Sequence, residues 1–447
     1  MEEKLDNLND TSKEREEEEN IKTHGWPLIA KILIFCLIII VVSLVVLIII
    51  LIISRPEKEN EGNKDDEYEE KLKKAGYIEP WNDLYGIKMS NLTYDNNSFI
   101  MNSFKKGGIN YRDEIGDLNS GKDYPKNERN IYDLYIPYSA LNKKDIANGV
   151  FLFIHGGSWV AGTKEDIEFL CSRYSKLGYI TATMGYTVMS GEYPENNIYR
   201  ILDEISACIQ DIKKQLNSLG FNSLEMALGG ISAGAHIALL YGYSIKNTII
   251  PIKFLVNIVG PISLEPEFWY KPAVFNQTLD EIEPSNIDKA IETGEIIRIF
   301  EDSSMISLMN GFLGKRYTEE ETKEMIENGK IKKESEKYQE MFNAVKYSFP
   351  YLFINNNTPP TLCEYAGNDS LVGISMYKYL KELSQKYGNK LDLIYMRYSD
   401  HDLISFDTEN GIQAMRDIHF QVLTYSKRFR KYIKITNISV LKYIYLF

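Results

Sequence analysis

The chain has 447 residues, 44% of them hydrophobic and 26% charged, with a formal net charge of −12. That length and apolar content suit one large α/β domain with insertions, or two to three average domains. The acidic balance, with no basic stripe interleaved with aromatics, argues against a nucleic-acid-binding surface. Four cysteines without Cys-x-x-Cys or Cys/His spacing argue against a disulfide scaffold and against a metal site.

Residues 1–31 are polar and acidic, with a run at Glu16-Glu17-Glu18-Glu19, and read as a disordered tail. Residues 32–54 carry no charge and consist almost wholly of Ile, Leu and Val, so this stretch predicts one transmembrane helix. Trp26, Lys31 and Arg55 flank it as interfacial anchors. A secretory signal peptide fits less well, because the polar preamble is long and Ile-Ile-Ser-Arg offers no small-residue cleavage site. Residues 55–75 are charged and read as a stalk. The expectation is a single-pass membrane protein. Basic residues on both flanks and scattered Asn-x-Ser/Thr triplets leave open which side its globular part faces.

Globular patterning occupies residues 76–447. Ile131 to Pro137 mixes apolar and polar residues and predicts an antiparallel edge strand ended by proline. Gly149 to Ile154 is apolar on both faces, as a central strand covered by helices should be. Strands at 179–184, 224–228, 252–259, 361–365 and 391–395 then alternate with helical patterns. Ile198, Leu202, Ile205, Ile209, Ile212 and Leu216 recur at helical spacing. A helix also fits Met376 to Leu383, and a last one fits Ile412, Met415, Ile418 and Val422. This alternation predicts the α/β class, a mostly parallel central sheet flanked by helices. Residues from about 261 to 349 contain helical patterns and no central strand, and read as an inserted helical cap over the site. Thr318 and Glu321 form a capping-box pattern within it. Ser439 to Phe447 is an apolar tail, read as a packed strand or an interface.

Within that frame, Gly230-Ile231-Ser232-Ala233-Gly234 lies between an apolar strand and a helical Ala-His-Ile-Ala-Leu-Leu segment. A serine on so sharp a strand-to-helix turn is presented as a nucleophile, and the following helix directs its positive end at the site. His155-Gly156-Gly157-Ser158-Trp159 closes the first central strand. Its glycines let backbone N–H groups approach an oxyanion together with that of Ala233, so Gly156, Gly157 and Ala233 are the candidate donors.

A serine needs a base. Of the five histidines, His24 precedes the apolar stretch, His155 belongs to the glycine loop, His236 reads as packed, and His419 lies beside an apolar helical face. His401, in a polar loop after the last strand, remains as the base. Asp369, in the loop after the preceding strand, is the candidate to orient it. Glu364, Asp400 and Asp402 are rival acids.

From about Asn130 to His419 these pieces resemble α/β-hydrolases of the His-Gly-Gly-x-Trp group. That group includes hormone-sensitive-lipase-like carboxylesterases, kynurenine-formamidase-like enzymes and feruloyl-esterase-like proteins. The resemblance rests on His155-Gly156-Gly157-Ser158-Trp159, Gly230 to His236, the segment from Pro359 through Gly367-Asn368-Asp369, and His401. Ser158 stands where many relatives have a third glycine. The resemblance implies an α/β-hydrolase fold and a Ser232-His401-Asp369 triad working through an acyl-enzyme, with no cofactor. An uncharged, moderately apolar small-molecule ester is the expected substrate. An aryl formamidase and a prenylcysteine methylesterase are the alternatives within this chemistry. A non-catalytic receptor or scaffold is the alternative of another class.

Overall fold

The computed structural model describes residues 81–401 apart from 95–104, 107–108, 111–127, 142–147, 191–192, 194, 246–247, 274–292, 295, 315, 389 and 397–398. The chain divides into two compact units, Met1–Glu67 and Tyr68–Phe447, and every described residue lies in the second.

Eight strands form the central sheet: β1 (Gly86–Thr93), β2 (Ile131–Pro137), β3 (Asn148–Ile154), β4 (Ile180–Met184), β5 (Leu224–Ile231), β6 (Ile252–Ile258), β7 (Thr361–Ala366) and β8 (Leu391–Met396). Their spatial order is β1-β2-β4-β3-β5-β6-β7-β8. The ladders from β4 through β8 are parallel, and β2 runs antiparallel to both of its neighbours. Seven strands run one way and β2 alone runs against them, the arrangement of the α/β-hydrolase fold.

The parallel strands are apolar on both faces because both faces are covered. Side-chain alternation divides the core accordingly. Val150, Leu152, Ile154, Met226 and Leu228 join the larger core, with helices α2 (Ile198–Ser218), α3 (Ala233–Ser244) and α7 (Ser375–Tyr387). Phe151, Phe153, Ala227, Phe254 and Val256 face the other way, onto helix α1 (Glu168–Lys176). Among the described residues between β6 and β7, none adds a strand to the main sheet. This segment carries α4 (Asp302–Phe312), α5 (Glu319–Glu324) and α6 (Glu336–Val345). The Thr318–Glu321 capping box caps α5: the Thr318 hydroxyl accepts from the Glu321 N–H at 3.2 Å, and the Glu321 carboxylate accepts from the Thr318 N–H at 2.9 Å.

Two expectations are corrected. Residues 131–137 are not the sheet edge, because β1 pairs outside them and buries Leu134, Tyr135 and Ile136 completely. Pro137 is tolerated because it is the last residue of β2. The localisation as a single-pass membrane protein is also corrected. Among the described residues no helix is long and apolar enough to cross a membrane. The 21-residue helix α2 is amphipathic, with Asp211, Lys213 and Lys214 breaking the apolar run that a span of about 20 residues requires. The stretch 32–54, the tail, the stalk, the last helix near Ile412 to Val422 and the apolar tail from Ser439 lie outside the described residues.

Candidate active site

The site is built where the parallel strands end. Strand β5 delivers Ser232 with φ 54° and ψ −122°, a left-handed backbone that a serine adopts only under constraint. The Ser232 N–H donates to Ile258 O at 2.8 Å, and Ser232 O accepts the first helical bond from His236 N at 3.0 Å. The elbow is this tight because Gly230 and Gly234 lack side chains. A Cβ on Gly234 would lie 2.1 Å from Ile154 O, and one on Gly230 would lie 2.5 Å from Gly234 C. No side chain fits there, so strand and helix pack backbone to backbone.

Loops after β7 and β8 bring the other two groups. Gly367 N donates to Met396 O at 2.8 Å and Asn368 N to Ser399 O at 3.0 Å, so the acid loop and the histidine loop are bonded to each other. Asp369 is almost fully buried, and its Oδ1 accepts the N–H groups of Leu371 and Val372 at 2.8 and 2.7 Å. His401 Nδ1 lies 2.9 Å from Asp369 Oδ2, and His401 Nε2 lies 2.9 Å from Ser232 Oγ. A carboxylate only accepts, so Nδ1 carries the proton and Nε2 accepts from the serine hydroxyl. Residues 169 and 32 positions apart are thus brought into one hydrogen-bonded line. Among the rival acids, Glu364 is buried within β7, on the face it shares with Leu362 and Ala366. Asp400 precedes the histidine in the loop, and Asp402 lies outside the described residues.

The glycine loop after β3 lies beside Ser232. A Cβ on Gly156 would stand 3.3 Å from Ser232 Cβ, so glycine is what lets this backbone approach the Ser232 side chain. Gly157 O accepts the N–H groups of Val160 and Ala161 at 3.0 and 2.9 Å, closing a tight turn in which Ser158 and Trp159 have φ of 50° and 64°. Ala233 is the first residue of α3, where helical geometry leaves its N–H without an intrahelical acceptor.

Several supports had no local signal in the sequence. The Tyr186 ring stacks on His155 with centroids 4.2 Å apart, and its hydroxyl donates to His155 O at 3.3 Å. Arg129 donates to Tyr186 O and to Gly162 O, joining the loop after β4 to the glycine loop. The buried Glu204 carboxylate holds that same loop, accepting from Thr187 N at 2.7 Å and from Arg200 Nε at 3.1 Å. His155 donates from Nδ1 to Gly156 O at 2.7 Å, and burial lowers its pKa to about 4, so it is neutral near pH 7.

Residues 132–383, more than half of the chain, match the BD-FAE family. Among curated proteins, a probable isoprenylcysteine alpha-carbonyl methylesterase of Oryza sativa subsp. japonica is 30% identical over 115 residues, 26% of this chain and 25% of that protein. An isoprenylcysteine alpha-carbonyl methylesterase of Arabidopsis thaliana is 28% identical over 151 residues, 32% of this chain and 34% of that protein. The chain thus spans about a quarter to a third of the length of these curated relatives. Among solved structures, a truncated carbohydrate esterase from gut microbiota superposes with a TM-score of 0.49 at 15% identity, covering 79% of this chain and 99% of its own. An esterase of Pyrobaculum calidifontis superposes with a TM-score of 0.45 at 15% identity, covering 83% of this chain and 95% of its own.

Proposed function

The chain belongs to the BD-FAE family of α/β-hydrolase esterases, and from that premise we propose that it hydrolyses carboxylic esters through Ser232, His401 and Asp369. The observation that carries this reading is the continuous line from Ser232 Oγ through the His401 ring to the Asp369 carboxylate, at 2.9 Å on each side of the ring. Ser232 Oγ attacks the ester carbonyl carbon while His401 Nε2 takes the hydroxyl proton. Asp369 holds the ring in the tautomer that can accept, and stabilises the imidazolium that forms. Negative charge that develops on the carbonyl oxygen is met by the N–H groups of Gly156, Gly157 and Ala233. Collapse of that intermediate breaks the bond to the alcohol, which leaves with the proton from His401. Water, deprotonated by the same histidine, then cleaves the acyl-enzyme and restores Ser232. No step calls for a cofactor.

The test is hydrolysis of a short-chain nitrophenyl ester by the full chain, with labelling by a fluorophosphonate. Wild type turns over and is labelled, and Ser232→Ala is not labelled and loses several orders of magnitude in kcat. A folded wild-type protein that is neither labelled nor faster than Ser232→Ala overturns the proposal and leaves the receptor or scaffold reading.

The likeness to the plant methylesterases favours a narrower reading, in which the substrate is the methyl ester of an isoprenylated cysteine. Methanol release from an S-farnesylcysteine methyl ester tests it against the same ester without the prenyl chain. A kcat/KM no higher for the prenylated ester rejects that reading and leaves the general esterase proposal standing.

A further inference from the structure

The proposed triad leaves His236 without a role, although it is fully buried one turn into α3. Its ring lies between two segments distant in the chain. Nδ1 faces Trp159 Nε1 of the glycine loop at 3.2 Å, and Nε2 faces Ser348 O of the insertion between β6 and β7 at 2.9 Å. An indole N–H can only donate and a carbonyl oxygen can only accept. The tautomer is therefore determined by the neighbours: Nε2 carries the proton and Nδ1 is bare. Burial lowers the pKa of this ring to about 3, consistent with a permanently neutral imidazole.

The same ring is part of an aromatic box. Phe312, from α4 of the insertion, stands edge-on to Trp159 at 4.8 Å and to His236 at 5.5 Å. Trp159 itself has φ 64°, a conformation that a bulky side chain takes only when its surroundings impose it. Its backbone carbonyl accepts from Met189 N, and its indole is held by His236. Within three residues of that strained position lie the Gly156 and Gly157 N–H groups assigned to the oxyanion.

We propose that His236 is a positioning residue that couples the insertion between β6 and β7 to the oxyanion loop, holding Trp159 from one ring nitrogen and Ser348 from the other. The ring transmits the placement of one segment to the other because neither bond can be kept if the ring rotates or changes tautomer. This proposal rests on the assignment of Gly156 and Gly157 to the oxyanion. Its physical half, the coupling of loop to insertion, does not depend on that assignment.

Three substitutions separate the bonds. His236→Asn places an amide oxygen close to where Nδ1 sits and keeps the acceptor for Trp159. His236→Gln places its amide where Nε2 sits and keeps the donor for Ser348 O. His236→Phe keeps the ring and loses both bonds. A misplacement of oxyanion donors by about 1 Å costs on the order of 10²-fold. We therefore expect kcat on a nitrophenyl ester to fall about 10- to 100-fold in His236→Gln and His236→Phe, with KM changed less than about threefold. His236→Asn retains kcat within about fivefold of wild type. Trp159→Phe falls as His236→Phe does, and the double variant falls no further. Gln outperforming Asn, or losses that multiply in the double variant, overturns the proposal.

Hydrogen exchange reads the coupling without catalysis. In His236→Phe the Val160 and Ala161 amides, both bonded to Gly157 O, exchange faster, while the Gly367 and Asn368 amides keep wild-type rates. Unchanged exchange at Val160 and Ala161 overturns the coupling even where activity falls. Faster exchange in a chain with no esterase turnover preserves the coupling and rejects the esterase reading alone.

Discussion

Replacing Asp369 by asparagine tests the geometry of the triad at constant shape. The Oδ1 atom of Asp369 is pinned by two backbone donors, Leu371 N at 2.8 Å and Val372 N at 2.7 Å. In Asp369→Asn those donors keep an acceptor, so the amide oxygen occupies the Oδ1 position. The NH₂ group must then occupy the Oδ2 position, 2.9 Å from His401 Nδ1. A donor there opposes the Nδ1 proton, and the amide oxygen, although 3.0 Å from Nδ1, already accepts two backbone N–H groups, so the ring shifts toward the tautomer with its proton on Nε2. That proton then points at Ser232 Oγ, 2.9 Å away, and His401 can no longer take the hydroxyl proton. The wrong tautomer costs about 10³- to 10⁴-fold in kcat, equivalent to roughly 4–5.5 kcal/mol of transition-state stabilisation. KM should stay within about threefold, because no group that touches the substrate in the ground state has changed. Thermal unfolding should shift little, since size and the two backbone bonds are preserved. Steady-state kinetics on a nitrophenyl ester, beside Asp400→Asn as a control, reads the outcome. An Asp369→Asn variant that keeps more than a tenth of wild-type kcat, or an Asp400→Asn variant that falls as far, refutes the reasoning.

The two buried neutral histidines make stability acid-sensitive. Burial lowers His155 to about 4 and His236 to about 3, below the ordinary value of 6.5 that an unfolded chain would show. The unfolded state therefore binds more protons in this window, and stability is lost as pH falls below about 6.5, by roughly 1.4 kcal/mol per unit for each ring. Urea titrations between pH 6.5 and 5 should show this slope, and His236→Phe should flatten it by one ring's share. An unchanged slope in that variant contradicts the assignment. Gly234→Ala sets a Cβ 2.1 Å from Ile154 O and should destabilise by about 3 kcal/mol or more, whereas Gly311→Ala near the end of α4 meets nothing within 4 Å and should stabilise by about 0.5–1 kcal/mol. Calorimetry of the pair checks both signs. Glu204→Gln removes the buried carboxylate that pairs with Arg200 Nε at 3.1 Å and should cost about 3–5 kcal/mol, read by denaturant unfolding. It should also lower kcat, because Glu204 holds the loop that stacks Tyr186 on His155.

The parallel strands were legible because burial on both faces demands apolar runs, and Val150 to Ile154 or Phe254 to Val256 can be read without a partner. The elbow was legible because its constraints are local. Only glycine at 230 and 234 permits the approach of strand and helix, and a serine between them has one conspicuous use. Strand β1 was missed. It is an outer strand, half-exposed, with a register shift between Met89 and Leu92 that breaks the period of two. With β1 missed, β2 passed for an edge. Sequence also placed Asp369 and His401 in the loops after the last two strands and favoured Asp369 over Glu364, Asp400 and Asp402 by its place in the chain alone. The tertiary structure sets Asp369 beside His401, through the backbone donors of Leu371 and Val372 and the bonding of the two loops to each other. The same holds for His236, which resembles any packed histidine in the sequence. Its partners lie 77 residues before it and 112 after it, and no local pattern encodes their meeting. The amino-acid sequence by itself determined which segments form the central parallel strands and where the glycine-flanked Ser232 turn falls, because periodicity and glycine sterics act over a few residues. Only the tertiary structure decided strand order, which carboxylate lies beside His401 and what packs behind the glycine loop, because those depend on contacts between segments brought together by burial.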